Sequence, residues 1–429
     1  MKTKEEIAAM IEAEDIEFIR LQFTDVLGNL KNIAVTPGQL GRVIDNRYSF
    51  NGRVLFDSLY DYPEELYLHP ITNSFVVLPW RPQQAKVAKL VCEVYTEDEK
   101  PFELSPRRIL RNVLQKAKEQ GYMLMADPEC EFFLFHTDEN GLPTTISHER
   151  AGYMEVGPSD FGENARRDIV LMLEEMGFDI ESSHHESAPA QHEVDFKEQE
   201  ALQMADSIQT FRFAVRSVAK RFGLYATFMP KPKADAPGSG MHTEITLVKD
   251  GKNLFRSESG EITETAYHFI GGILAHAPAL VAVANQTVNS YKRLLSGCDA
   301  PGRINWSRKG ESAFVKLKHT REDTKIELRF PDGAANPYLL LASAITAGLD
   351  GVEHQLDPGE DSFGKPSSDY PAVPGTLREA VSALLEDDVI RTALGDEFTE
   401  IYAKIKNAEW DEYMVSVSEW ELEKYLTRI

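Results

Sequence analysis

The chain has 429 residues, 42% hydrophobic and 27% charged, the balance of a globular protein too long for one ordinary core, so two domains are expected. Its 46 Lys and Arg against 69 Asp and Glu give a formal net charge of -23, which argues against nucleic acid and anionic membranes as partners. Cys92, Cys130 and Cys298 lie far apart with no CxxC spacing, and the N-terminus lacks an apolar signal-peptide core, so a reducing cytoplasm is the expected compartment.

In chain order, "MKTKEEIAAMIEAED" reads as a helix, and "IEFIRLQFTDVLGNLKNIAV" has two alternating runs around "DVLGN", the pattern of a β-hairpin. Short strands follow at "NSFVVLPW" and "AKVAKLVCEVYT". This β-rich unit ends where the charge run "TEDEK" precedes Pro101, which gives domains of residues 1–100 and 101–429. "LSPRRILRNVLQKAKEQG" opens a helix with Ser105 as N-cap, Pro106 in the first turn and Gly121 past its end. Strands and long helices then alternate. The apolar run "HFIGGILAHAPALVAVAN" contains His276 and Pro278 and has no flanking basic residues, so it is expected to be a buried helix and not a membrane span. "ANPYLLLASAITAGLDGVEHQL" and "FTEIYAKIKNAEWDEYMVSVSEWELEKYLTRI" complete the helices.

Chemistry gathers in a few segments. In "DPECEFFLF", Glu129 and Glu131 are two apart, so on a strand both carboxylates leave one face and need a positive partner. "HHESAPAQHEVDF" collects three histidines with Glu186 and Glu193, whose odd spacing is reconciled if the chain bends at Pro189. "GSGMHTEITLV" sets His242 after a glycine turn, and "KIELRFPD" places Lys325, Glu327 and Arg329 on one strand face. Five carboxylates and an imidazole without a thiolate suit Mg²⁺ or Mn²⁺ better than zinc, and six ligands divide into two sites of three.

The order and spacing of "DPECEFF", "HHESAPAQHEVDF", "GSGMH", "NSYKRL" and "ELRFPDGAANPYL" resemble those of glutamine synthetase, type I, over nearly the whole chain. The resemblance implies an α+β fold, with an N-terminal β-grasp domain before a catalytic domain built on an antiparallel sheet with surrounding helices. It also implies a homo-dodecamer of two stacked hexameric rings. It assigns Glu131, Glu186 and Glu193 to one metal and Glu129, His242 and Glu327 to the other, nearer the transferred phosphate; Glu186 would also face the nucleophile. Arg293 and Arg329 match the arginines that grip glutamate and γ-glutamyl phosphate. Gly238 and Tyr153 match substrate-pocket positions, and Glu181, Thr246, Lys316 and Lys325 fall on the ATP side. The implied reaction phosphorylates glutamate with ATP and displaces the phosphate with ammonia. The absence of the insertion that carries the adenylylated tyrosine, and Tyr60 where a subgroup has a regulatory arginine, imply different regulation.

Several positions depart from the family pattern. The aspartate that binds ammonium is Asn51, which cannot accept a proton. The flap glutamate is Asp299, assigned a catalytic role although one methylene shorter, and the residue before "GSGMH" is Pro237. Two arginines for the ATP phosphates become Glu311 and Lys316, Lys325 replaces another, and Glu198 stands where an aromatic ring covers adenine. The sequence is thus compatible with a glutamine-forming ligase, with a ligase joining glutamate to another amine, or with a non-catalytic or regulatory paralogue.

Overall fold

A computed structural model describes residues 2–62, 64–81, 84–297 and 300–429. Near the N-terminus, the strands Ile16–Thr24 and Leu30–Val35 pair antiparallel, from Ile19 opposite Val35 to Thr24 opposite Leu30. Their turn is held by Asp25, whose Oδ1 accepts from the backbone N–H of Leu27 and Asn29, and closed by Gly28 at φ 85. A side chain on Gly28 would start 3.0 Å from the Cα of Asn336, so the hairpin tip packs on the distant segment that opens the helix Pro337–His354. Asn336 fixes that contact by donating from Nδ2 to the carbonyls of Asp25 and Val26.

The first hairpin strand also runs parallel to Lys86–Tyr95, and with Glu65–Pro70 and Tyr48–Asn51 they form most of a 6-stranded sheet. Arg107, in the first turn of the helix Pro106–Glu119, is buried between Glu93 of this sheet (2.5 Å) and Asp206 of the helix Ala201–Arg221 (2.8 Å). Removing one partner from such a network leaves a charge without compensation.

The larger sheet has 10 strands among the described residues. Its main path runs Trp306–Ser307, Val315–His319, Thr324–Leu328, Met241–Lys249, Met123–His136, Gln191–Phe196 and Ile180–His185. Except for the parallel pairing of Trp306–Ser307 with Val315–His319, these neighbours are antiparallel, and the fold is α+β. The helix Ala201–Arg221 carries a buried face of Met204, Ile208, Phe211, Val215 and Val218, spaced at three and four residues, as helical packing requires.

The long apolar run forms the helices Glu264–Ala275 and Ala277–Ala284, bent by 74° at His276; among the described residues no single helix is long and apolar enough to cross a membrane. The terminal stretch expected as one helix divides in two. Asp396–Val415 stops before Ser418, whose side chain caps Glu419–Tyr425 in a reciprocal arrangement with Glu421.

Candidate active site

Cross-strand register builds the site. His242 lies opposite Glu129, and Glu129 opposite Asp195; Glu131 faces Glu193, and Glu193 faces His184. Glu244 is opposite both Asp127 and Glu327, and Glu327 is opposite Lys316. Directly opposed side chains leave the same face of a sheet, so these residues form one strongly acidic face.

Near its centre Glu129, His242 and Glu327 bring one ligand atom each to within 4.8 Å of one another. His242 Nδ1 lies 3.2 Å from Glu129 Oε2 and 3.8 Å from Glu327 Oε1. Burial raises the pKa of Glu129, but its hydrogen bond to His242 and the charge of Lys318 outweigh this and hold the carboxyl down at about 2. His242 Nε2, Glu327 Oε2, Asp127 Oδ1, Asp195 Oδ1 and Thr246 Oγ1 are buried without a hydrogen-bond partner. Buried polar atoms normally find partners; two of these belong to His242 and Glu327 of the converging set, and such an oxygen-rich set fits a hard divalent cation with its waters.

Glu131, Glu186 and Glu193 approach from the other half of the same face but do not converge as one set. Among the described residues, the second acidic-face group within 4.8 Å is His184, Glu193 and Asp195. Glu131 Oε2 accepts from Gln191 Nε2 at 2.8 Å and from the N–H of Gly240 at 2.9 Å, while Glu186 Oε1 pairs with His184 Nε2 at 2.9 Å. Burial, then the neighbouring charges of Glu131 and Asp195, push Glu193 up to about 12. The expected bend exists: Pro189 lies in the turn between Ile180–His185 and Gln191–Phe196, and Glu186 N–H closes that turn on Gln191 O.

Gly240 leaves space where several of these groups meet. A Cβ there would lie 2.8 Å from Arg293 Nη2, 2.9 Å from His242 Nε2 and 3.0 Å from Glu131 Oε1. Arg293 is buried, donating to the carbonyls of Phe330 (2.9 Å) and Arg329 (3.2 Å), which fixes its guanidinium beside the site. Gly238 sits over the stem of Arg293, and its carbonyl accepts from Gln191. Arg329 contacts Glu327 and lies 3.5 Å from Glu311 Oε2. Tyr153 sets its ring edgewise against His184 at 5.3 Å.

Glu181 and Lys325 line a cavity of about 390 Å³ beside Glu129. Thr246 lies further along the strand of His242, and Lys316 turns to Glu311 at 2.5 Å. Glu198 is exposed. Asn51 lies on the smaller sheet, where its Oδ1 accepts from the N–H of Arg53. Asp299 lies outside the described residues.

Sequence reasoning missed Asp127, Asp195, Glu244 and Lys318. Lys318 pairs with Glu129 and Glu244, and Lys325 pairs with Asp127 and Glu244. Burial and Glu244 raise Asp127 to about 8 against the opposing pull of Lys325. Period-two spacing from Glu129 and His242 would have marked Asp127 and Glu244; only register shows that they meet. The buried Glu149, His185 and His192 form a third tight group, on the opposite face from Glu193. Arg166 Nη1 approaches His192 Nδ1 at 2.7 Å, and a guanidinium can only donate, so this nitrogen must accept the bond.

Residues 15–97 match the glutamine synthetase β-grasp domain, and residues 103–425 match the glutamine synthetase catalytic domain. Glutamine synthetase of Clostridium saccharobutylicum is 45% identical over 99% of both chains. That of Thermus thermophilus is 44% identical, again over 99% of both chains. Among solved structures, the GmaS/ADP complex superposes with a TM-score of 0.89 at 34% identity, covering 98% of this chain and 99% of that one.

Proposed function

The chain belongs to the glutamine synthetase family of ligases, and from that premise we propose an ATP- and divalent-metal-dependent ligase that joins ammonia or another amine to the γ-carboxylate of glutamate. The observation that carries this reading is the convergence of Glu129, His242 and Glu327, with unpartnered buried atoms, beside Arg329 and Arg293. Bound Mg²⁺ or Mn²⁺ would supply charge to offset the transferred phosphoryl group. Glu129, His242 and Glu327 would hold one cation, and Glu131, Glu186 and Glu193 would supply the carboxylates for the other.

Arg329 and Arg293 orient the γ-carboxylate, since a planar guanidinium matches a carboxylate or phosphoryl group in two contacts. Gly238 and Gly240 let the substrate approach that pair, Tyr153 borders the pocket, and Glu186 faces the nucleophile. Glu181, Thr246, Lys316 and Lys325 border the nucleotide. Asp299, outside the described residues, is given the role of the flap carboxylate by the family resemblance alone. Asn51 would border the nucleophile from a neighbouring subunit of a dodecamer, where its neutral amide neither takes a proton nor offsets a cationic charge, so the pocket differs at this point from one built around a carboxylate. The likeness to glutamine synthetases supports the ammonia form, and the likeness to GmaS keeps the amine form beside it.

A non-catalytic paralogue is the second reading, favoured by Glu311 spanning Lys316 and Arg329. The experiment is phosphate release from ATP with Mg²⁺, glutamate and a panel of ammonia, methylamine and larger amines. Release that needs glutamate and an amine and disappears in Glu327→Gln supports the ligase. No amine-dependent release across the panel refutes it and leaves the paralogue.

A further inference from the structure

On the reverse of the acidic face, between the helix Ala201–Arg221 and the N-terminal hairpin, lies a cavity of about 680 Å³. Met241 precedes His242 on its strand, so the two side chains leave opposite faces, and Met241 Sδ meets Arg212 Nη2 at 3.4 Å. Arg20, Arg212 and Arg216 all line this cavity. None of the three has a carboxylate within 4.0 Å among the described residues, although the buried Asp332 acts on Arg212 at longer range, in a chain with 69 acidic side chains against 46 basic ones. Arg212 and Arg216 instead lie against the ring of Phe228, at 6.0 and 5.2 Å, and Arg20 lies 5.7 Å from the ring of Phe213. The acid at the cavity wall, Glu409, is already paired with Lys406 at 2.9 Å.

From this we infer that the cavity is a second ligand site, separate from the catalytic face, which takes a small multivalent oxyanion. Arg212 is the built element of the site. It is only 6% exposed, and burial draws its guanidinium down to about 10. A buried guanidinium is costly unless something anionic meets it, and its fork matches carboxylate or phosphate oxygens in two contacts. The aromatic rings border the arginines without neutralising their charge. The volume exceeds that of one phosphate and suits a small organic anion. Phosphate esters and polycarboxylates share this chemistry. Because Arg212 touches the residue next to His242, occupancy bears on the strand that carries the catalytic imidazole.

The test is calorimetric titration of pyrophosphate, and separately of citrate, into the metal-free full-length protein. Without a cation, the acidic face repels both probes. The expected result is saturable binding of at least one anion, retained in Glu327→Gln and weakened about tenfold or more in Arg216→Gln and Arg20→Gln. Arg216 is exposed, so its variant tests the site even if Arg212→Gln fails to fold. Binding of pyrophosphate alone assigns a phosphate ester, and binding of citrate alone a polycarboxylate. Failure of both anions to bind, or binding unchanged in Arg216→Gln and Arg20→Gln, overturns the inference. Neither failure touches the ligase reading, which rests on the other face.

Discussion

Replacing Glu311 by Gln should tighten ATP binding. Glu311 Oε1 lies 2.5 Å from Lys316 Nζ and Oε2 lies 3.5 Å from Arg329 Nη1, so its carboxylate occupies the cations that an incoming phosphoryl group would use. Burial raises the Glu311 pKa, but the Lys316 hydrogen bond outweighs this, so the group is ionised at neutral pH. Two unit charges about 4 Å apart interact by about 1 kcal/mol in bulk water and about 4 kcal/mol at an effective dielectric of about 20. The Glu311 side chain is 65% exposed, so the lower end applies. About 1–2 kcal/mol corresponds to a gain of about 5- to 30-fold in affinity. Gln keeps the backbone carbonyl that accepts from Arg329 Nε, so the loop should hold its place. The assay is calorimetric titration of ATP with Mg²⁺ into both proteins at low and high salt, and the gap should shrink as salt screens the exposed charge. Equal affinity in the two proteins at low salt would refute the reasoning.

Mn²⁺ should raise the thermal midpoint, by a stabilisation of about 2.7 kcal/mol at a hundredfold excess over the dissociation constant, and Glu129→Gln should reduce the gain; an unmoved wild-type midpoint contradicts the metal assignment. Gly240→Ala should abolish turnover and lower the thermal midpoint, because its Cβ would intrude between the buried Arg293, His242 and Glu131; retained kcat in a steady-state assay would show that the space is not used. His276, at the bend between two helices, contacts Asp387 at 2.7 Å and Asp350 at 3.1 Å. Burial lowers its pKa, but the two aspartates outweigh this and raise it above 6.5, while Asp387 is held below 3.8. The imidazolium therefore contributes stability fully below about pH 6.5, lost as pH rises through the raised folded value. The Asp387 contribution is lost as pH falls below about 3.8. His276→Asn should cost about 1–2 kcal/mol near pH 5 and less near pH 8, read by urea unfolding; a cost independent of pH would contradict the clamp.

The hairpin at residues 16–35 and the helix after Ser105 were legible because alternation, a turn and a proline in the first helical turn sit within a few residues of one another; Ser105 holds the N-cap position but makes no side-chain capping bond. The carboxylates of the acidic face were legible as a set through spacing and family resemblance, but their neighbours were not. Asp127, Glu244 and Lys318 meet one another, and the already legible Lys325, only because four strands register side by side. In the histidine-rich stretch the pleat separates what the sequence places together: His184 and Glu193 face the site, while His185 and His192 pair on the reverse. The terminal helix read as continuous because its polar and apolar residues keep a helical rhythm through Ser416–Ser418. Capping by Ser418 divides it.

The most direct measurement of the ligase reading uses glutamate labelled with ¹⁸O in its γ-carboxylate, turned over with ATP, Mg²⁺ and the best amine, with the released phosphate analysed by mass. Attack of the γ-carboxylate on ATP, followed by displacement at the γ-carbon, leaves one carboxylate oxygen on the phosphate. The account predicts one ¹⁸O per phosphate released. Unlabelled phosphate, or release that proceeds equally without glutamate, would contradict it.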